Sequence, residues 1–289
     1  MKAESLWQKD GFSVVVSMDT PKGTDTKKLI ESAEAVKGRI DGILINEASD
    51  AIMRMTPMAA CLEILRHNIL PVMGINARDR NRLALQGDLL GAWSLGIRHV
   101  LFEKGKDPSY GDHPLTKPVY DVSRLEFVEM VAGLNRGVDD SGLELTDATD
   151  YIFGAAVDWI NDDQINAEFL KMQEMAQKGI KYFVVSPQFD VDRTLALLDR
   201  ARSMEVPIFV SVMLLKSVGM ARYLREVPGV SPVPEDTIQQ LAKAPVKARA
   251  GVDIAVDFIK RIRGAAQGVV ILPVGWAHKV PEILEGIGG

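Results

Sequence analysis

Short runs of β-branched and aliphatic residues alternate along the chain with longer stretches whose apolar residues return at helical spacing. The first kind of run reads as strand and the second as amphipathic helix. On this pattern eight strands fall at Ser13–Ser17, Gly42–Ile45, Leu70–Ile75, His99–Phe102, Tyr151–Val157, Tyr182–Ser186, Pro207–Val212 and Gly268–Val274. Between them, Ile165, Phe169, Met172 and Ala176 share one helical face, as do Ile254, Phe258 and Ile262. The strands are nearly continuous apolar runs, as expected of parallel strands covered on both faces.

Repeated βα units permit an open doubly wound sheet or a closed barrel. The open sheet normally carries a glycine-rich phosphate turn after its first strand. Here that turn reads Met18-Asp19-Thr20-Pro21-Lys22-Gly23, matching neither GxGxxG nor GxxxxGK[ST]. The expectation is a single (β/α)₈ barrel over residues 1–289, with its site at the C-terminal strand ends. Ser17, Asn46, Ile75, Phe102, Val157, Ser186, Val212 and Val274 are expected near those ends. Two stretches break the rhythm. Glu103–Val119 is a loop rich in Gly, Pro and charge after the fourth strand, and Pro228–Pro245 carries an additional short helix before the eighth unit.

Composition removes several classes of function. A chain that is 47% hydrophobic and 25% charged is neither disordered nor fibrous. Its net charge of −5 disfavours nucleic acid as the main partner. No apolar run approaches the ~18 residues that span a bilayer. The opening MKAESLWQKDGF lacks the apolar core of a signal peptide, so a cytoplasmic protein is expected. The one cysteine, Cys61, permits no internal disulfide and reads as a small buried residue. The histidines show no HExxH or HxxxH spacing, so no metal site is expected. There is no G-x-S-x-G elbow, and Ser217 reads as a helix N-cap.

Four segments together resemble the methylenetetrahydrofolate reductase family in order and spacing, over nearly the whole chain. They are FSVVVSMDTPKG (Phe12–Gly23), ARDRNRLALQGDLLGAWSLGIRHVL (Ala77–Leu101), KGIKYFVVSPQFD (Lys178–Asp190), and the tail Pro207–Gly286 with SVMLLKSVGMARYL and VPEILEG. The resemblance implies a barrel in which reduced FAD passes a hydride to methylenetetrahydrofolate, giving methyltetrahydrofolate. It also implies a Glu at the end of strand one that protonates the folate so that it opens to an iminium. Polar residues ending strands two, four and six would hold pterin and flavin.

Carried over residue by residue, the family Glu falls on Ser17, a Thr on Asn46, a Gly-Asp pair on Gly105-Lys106 and a Gln on Ser186. Three of these four positions change their chemistry. Asp19, two residues beyond Ser17 and on the same strand face, is the candidate acid or pterin holder. Glu47, Glu103 and Asp107 also lie at strand ends. Lys104 and Lys106 bracket Gly105 in a loop suited to a diphosphate, a folate glutamyl tail or a reduced flavin. Arg78 suits a phosphate or flavin, or else a pair with Asp79. Tyr110-Gly111-Asp112-His113 resembles a Gly-Asp-His of relatives and adds His113 to the cofactor set.

The resulting expectation is Asp19 and Ser17 as catalytic residues, and Asn46, Arg78, Gly105, Lys106 and His113 around the cofactor. Asp19, Glu47, Ser186 and Gln188 are expected around the substrate. Three functions stay open: a flavin-dependent folate reductase with a rearranged acid, a flavin-free tetrahydrofolate methyltransferase, and a non-catalytic barrel subunit of a redox complex. Expected partners are a reduced folate, an electron-donor or corrinoid protein, and further copies of the chain.

Overall fold

A computed structural model describes residues 6, 11–48, 50–160, 162–227 and 230–288. Its elements are β1 (Ser13–Met18), α1 (Lys27–Glu34), β2 (Gly42–Ile45), α2 (Pro57–Arg66), β3 (Pro71–Ile75), α3 (Arg82–Ser94), β4 (His99–Phe102) and α4 (Arg124–Asn135). They continue with β5 (Ile152–Val157), α5 (Asp162–Gln177), β6 (Tyr182–Val185), α6 (Val191–Ala201), β7 (Ile208–Met213), α7 (Val218–Glu226), α8 (Glu235–Lys243), α9 (Lys247–Ile262), β8 (Gly268–Leu272) and α10 (Val280–Gly286). The eight strands are parallel and close in sequence order, with β8 pairing back onto β1. This is the expected (β/α)₈ barrel, and α8 is the expected additional helix.

Strand ends move by one or two residues from the sequence reading. Leu70, Tyr151, Ser186 and Pro207 fall just outside, and β8 stops at Leu272. Val274 cannot belong to β8 because its backbone is left-handed, at φ +50. That conformation is a genuine outlier for a β-branched residue. Arg78 lies in the loop beyond Ile75.

Period-two alternation divides the strand residues between two cores. Val15, Leu44, Val72, Leu101, Val184 and Val270 fill the barrel interior, where Tyr182 and Phe209 meet edge-on at 5.9 Å between ring centroids. Their neighbours Val14, Val16, Ile43, Ile45, Met73 and Ile75 pack outward under the helices. Gly154 makes room for the large Tyr182 ring, since a Cβ there would lie 2.5 Å from it. Extending the inward set by one more step along the chain brings Ser17, Asn46, Glu103 and Ser186 to the C-terminal mouth. The alternation that packs the core therefore also selects which side chains face a ligand.

Among the described residues, side-chain caps start four of the helices. Ser123 and Glu126 form a reciprocal capping box on α4. Asn81, Asp190 and Ser217 cap α3, α6 and α7 through their side chains, as anticipated for Ser217. Ile165, Phe169 and Met172 of α5 are buried while Ala176 is half-buried, and Phe258 and Ile262 of α9 are buried while Ile254 is half-buried. Cys61 is fully buried on α2. No helix among the described residues is long and apolar enough to cross a membrane.

Candidate functional site

At the mouth, one amide organises the β1–β2 side. Asn46 Nδ2 donates to Ser17 Oγ at 2.7 Å and to Asp19 Oδ1 at 3.3 Å. Ser17 is buried in the barrel wall and Asp19 is exposed at the rim. Thus three of the residues singled out from sequence meet in one chain of hydrogen bonds, with a carboxylate at its open end.

Glu103 completes this ring from β4. It follows Leu101 at the inward spacing, and its carboxyl lies against Gly74 of β3. A Cβ on Gly74 would stand 2.5 Å from Glu103 Oε2 and 2.8 Å from the Ile45 carbonyl oxygen. Glu103 Oε2 accepts the Glu47 backbone N–H at 2.9 Å. No Lys or Arg pairs with this carboxyl among the described residues. Burial pushes Glu103 up to about 7, the Glu47 N–H pulls it down, the charges of Glu47 and Asp19 raise it further, and Arg78 opposes them.

Glu47, its neighbour in charge, faces the other way. One carboxylate oxygen pairs with Arg80, and the other accepts the Asn76 backbone N–H at 2.5 Å. Burial raises Glu47 to about 7 against the pull of Arg80 and of that N–H. Adjacent strand-end carboxylates therefore play different parts. Glu103 opens onto the mouth, whereas Glu47 fastens the β2 and β3 loops together.

Arg78 is buried and held at every end. It forks onto Asp79, with Nε–Oδ1 at 2.8 Å and Nη2–Oδ2 at 2.5 Å, and its Nη1 donates to the Ala48 and Lys106 carbonyls at 3.0 and 3.2 Å. Of its two readings from sequence, the Asp79 pair is formed. Gly105 takes a left-handed backbone, φ +68, next to this cluster. Lys106 Nζ bridges to Asp50 at 2.6 Å, both side chains about two-thirds exposed at 64% and 65%. Lys104 is exposed, and Asp107 caps its own turn by accepting from Ser109 N and Oγ. His113 Nδ1 lies 2.8 Å from Asp112, whose carboxyl Lys22, His113 and the Met53 N–H hold well below the usual range.

Beside the mouth, the loops after β2, β3 and β4 enclose a cleft of ≈ 430 Å³. Glu47, Arg78 and His113 line it together with Arg54, Arg80 and the apolar Met53. Arg54 donates to the Thr20 carbonyl at 2.9 Å and has no carboxylate partner among the described residues. No sequence feature marked Arg54 because the cleft exists only where three distant loops meet.

Ser186 and Gln188 form a third group. Ser186 Oγ accepts from Trp159 N at 3.0 Å. Gln188 Nε2 donates to the Trp159 carbonyl and to Ser231 Oγ, and its Oε1 accepts from Arg193. This buried network pins the β5 and β6 loops to the segment before α8.

A closed parallel barrel whose inward polar residues gather at one end belongs to the class that keeps its ligand chemistry on that face. Within that class the chain belongs to the methylenetetrahydrofolate reductase family, whose sequence profile matches residues 4–288. None of the curated proteins matches it in sequence. In fold it is similar to an uncharacterized protein from Clostridium thermocellum that binds two copies of 5-methyl-5,6,7,8-tetrahydrofolic acid. The two share 13% identity at a TM-score of 0.63, over 96% of this chain and 94% of that one. A dihydropteroate synthase from Thermus thermophilus, in complex with 4-aminobenzoate, aligns at 14% identity and a TM-score of 0.47, over 99% of this chain and 100% of that one.

Proposed function

We propose that this protein binds a reduced folate across the barrel mouth and reduces methylenetetrahydrofolate to methyltetrahydrofolate with a bound flavin. The observation that carries the reading is the polar ring of Ser17, Asn46, Asp19 and Glu103 at the strand ends. Family membership and the methyltetrahydrofolate bound by the Clostridium thermocellum protein support it.

A pterin presents an amidine-like edge that a carboxylate pairs with through two parallel hydrogen bonds. Asp19, open at the rim and steered by Asn46, is the group for that edge. Ser17 stands behind them, and Ser186 and Gln188 border the opposite side. Glu47 acts through Asn76 and Arg80, keeping the loop walls in place.

The side cleft suits the anionic part of a flavin nucleotide. Its volume lies within the range of ligand pockets, ~300–1,000 Å³, and it combines apolar walls with Arg54, which has no carboxylate partner among the described residues. Arg54, Arg80 and His113 would hold a phosphate there, with Arg78, Gly105 and Lys106 forming the edge nearest the mouth. A bound flavin supplies the hydride; this chain's own residues orient the folate and move its proton.

Two measurements on the purified protein test the reading. Isothermal titration should show saturable tetrahydrofolate binding, and denaturation should release a flavin. Absence of folate binding defeats the reading. Folate binding in a protein that takes up no flavin would instead favour methyl transfer, which needs no hydride.

A further inference from the structure

We propose that Glu103 is the proton donor of this site, delivering its proton from Oε1 to N10 of bound methylenetetrahydrofolate. The proposal rests on the reductase reading above and names the group that reading leaves unassigned. In the step, the Oε1–H bond breaks as the N10–H bond forms. The bond between N10 and the methylene carbon breaks with its electron pair kept on N10. The N5 lone pair then makes the second bond to that carbon, giving the iminium cation, and Glu103 is left as a carboxylate.

Position separates Glu103 from the other candidates. Ser17 carries no proton that ionises near neutral pH. Asp19 stands exposed at the rim, hydrogen-bonded to Asn46. Glu47 has one oxygen on Arg80 and the other on the Asn76 N–H. Of the three carboxyls, Glu103 alone is both withdrawn from the exposed rim and anchored by a single oxygen. Oε2 is fixed by the Glu47 N–H at 2.9 Å, and Oε1 takes no hydrogen bond from the described residues. Gly74 leaves space for the carboxyl to lie flat against β3.

Its surroundings hold the proton on up to about neutral pH and then favour the product of the step. The groups that act on it are Asp19 from the β1 end, Glu47 from the β2 end and Arg78 from the loop after β3. Tyr182 of β6 also feels its charge. Two of these are carboxylates, and the one cation, Arg78, is engaged by Asp79. Burial together with them brings the carboxyl to about 7, the range in which a general acid works best at neutral pH. After transfer, the new carboxylate lies beside a new cation.

Stopped-flow oxidation of the reduced, flavin-loaded protein by methylenetetrahydrofolate tests the assignment in wild type, Glu103→Gln, Glu103→Asp and Asp19→Asn. Tetrahydrofolate titrations run in parallel. Glu103→Gln should slow the step by ~10²–10⁴-fold, still bind tetrahydrofolate, and lose the fall in rate that wild type shows as pH rises through neutrality. Glu103→Asp should recover part of the rate with a displaced pH limb, and Asp19→Asn should weaken binding while keeping the limb. Carbon-13 NMR of the glutamate carboxyls should show a resonance titrating near 7 that is missing from Glu103→Gln. A folded Glu103→Gln that reduces folate at the wild-type rate with the same pH limb overturns the assignment alone. A wild type that binds reduced folate and never reduces it overturns the reductase reading, and the assignment with it.

Discussion

Glu103 occupies the space that a side chain at Gly74 would need: a Cβ there would sit 2.5 Å from Glu103 Oε2. Nor is there room to retreat on the other side, where the Ile45 carbonyl oxygen stands 2.8 Å away and belongs to the barrel backbone. Alanine is ordinarily preferred to glycine within a strand, so Gly74→Ala tests this contact cleanly. It should destabilise the protein by about 1–3 kcal/mol through overpacking and displace the Glu103 carboxyl. Urea unfolding measures the first effect and the folate half-reaction the second. A Gly74→Ala protein as stable as wild type would mean that the carboxyl does not rest on β3.

The same carboxyl should leave a mark on stability against pH. Its folded value, about 7, lies above the ordinary 4.5. The native state therefore holds a proton that the unfolded chain releases. Its contribution is complete below about 4.5 and is lost as pH rises through about 7. Other carboxylates, such as Asp112 and Glu168, are lowered and act in the opposite sense. The difference between wild type and Glu103→Gln reports the residue together with its charge coupling to Glu47, which is also raised to about 7. Relative to wild type, the variant should gain stability steadily from about 4.5 to 7. Parallel urea curves across that window would remove the proton from Glu103.

Asp19 is exposed, so its replacement by Asn should leave the urea midpoint unchanged. A hydrogen bond to a charged group contributes about 1.5–3 kcal/mol, and losing it should weaken tetrahydrofolate binding by roughly ten- to a hundredfold. Calorimetry decides this. Equal affinity would place the pterin edge elsewhere.

Arg54 should matter to the nucleotide and to nothing else. Among the described residues its one hydrogen bond goes to the Thr20 carbonyl. Arg54→Ala should lower flavin affinity by about tenfold or more, the loss of one charge-assisted hydrogen bond to an anion. Tetrahydrofolate should bind as before. Flavin fluorescence titration gives the number, and an unchanged constant would remove the cleft from cofactor binding.

The barrel was legible because its strands are apolar on both faces and its helices are not, so the two periods separate along the chain. The strand ends were less so. Pro71 and Val274 mark limits that depend on backbone geometry, and a left-handed valine gives no sequence signal. The polar ring was half legible. Ser17, Asp19 and Asn46 follow from strand ends and family resemblance, but the sequence pointed to Glu47 around the substrate and gave Glu103 no role in the site. What separates them is that Glu103 continues the inward spacing of Leu101, whereas Glu47 is out of step with Leu44 and turns to Arg80. Arg54 could not be found at all, since its neighbours come from three loops whose approach is a property of the closed barrel.

The single guanidinium of Arg78 touches all three of those loops, through Asp79, the Ala48 carbonyl and the Lys106 carbonyl. Lifting any one loop strips a buried cation of a partner, at a cost comparable to the charged hydrogen bond lost. The three loops are thus mechanically one piece, and that quarter of the rim behaves as a rigid wall. The rest of the rim is held by separate ties, Gln188 between the β5 and β6 loops and Lys216 between the β7 and β8 loops, so each of those pairs can shift without disturbing the β2–β4 wall.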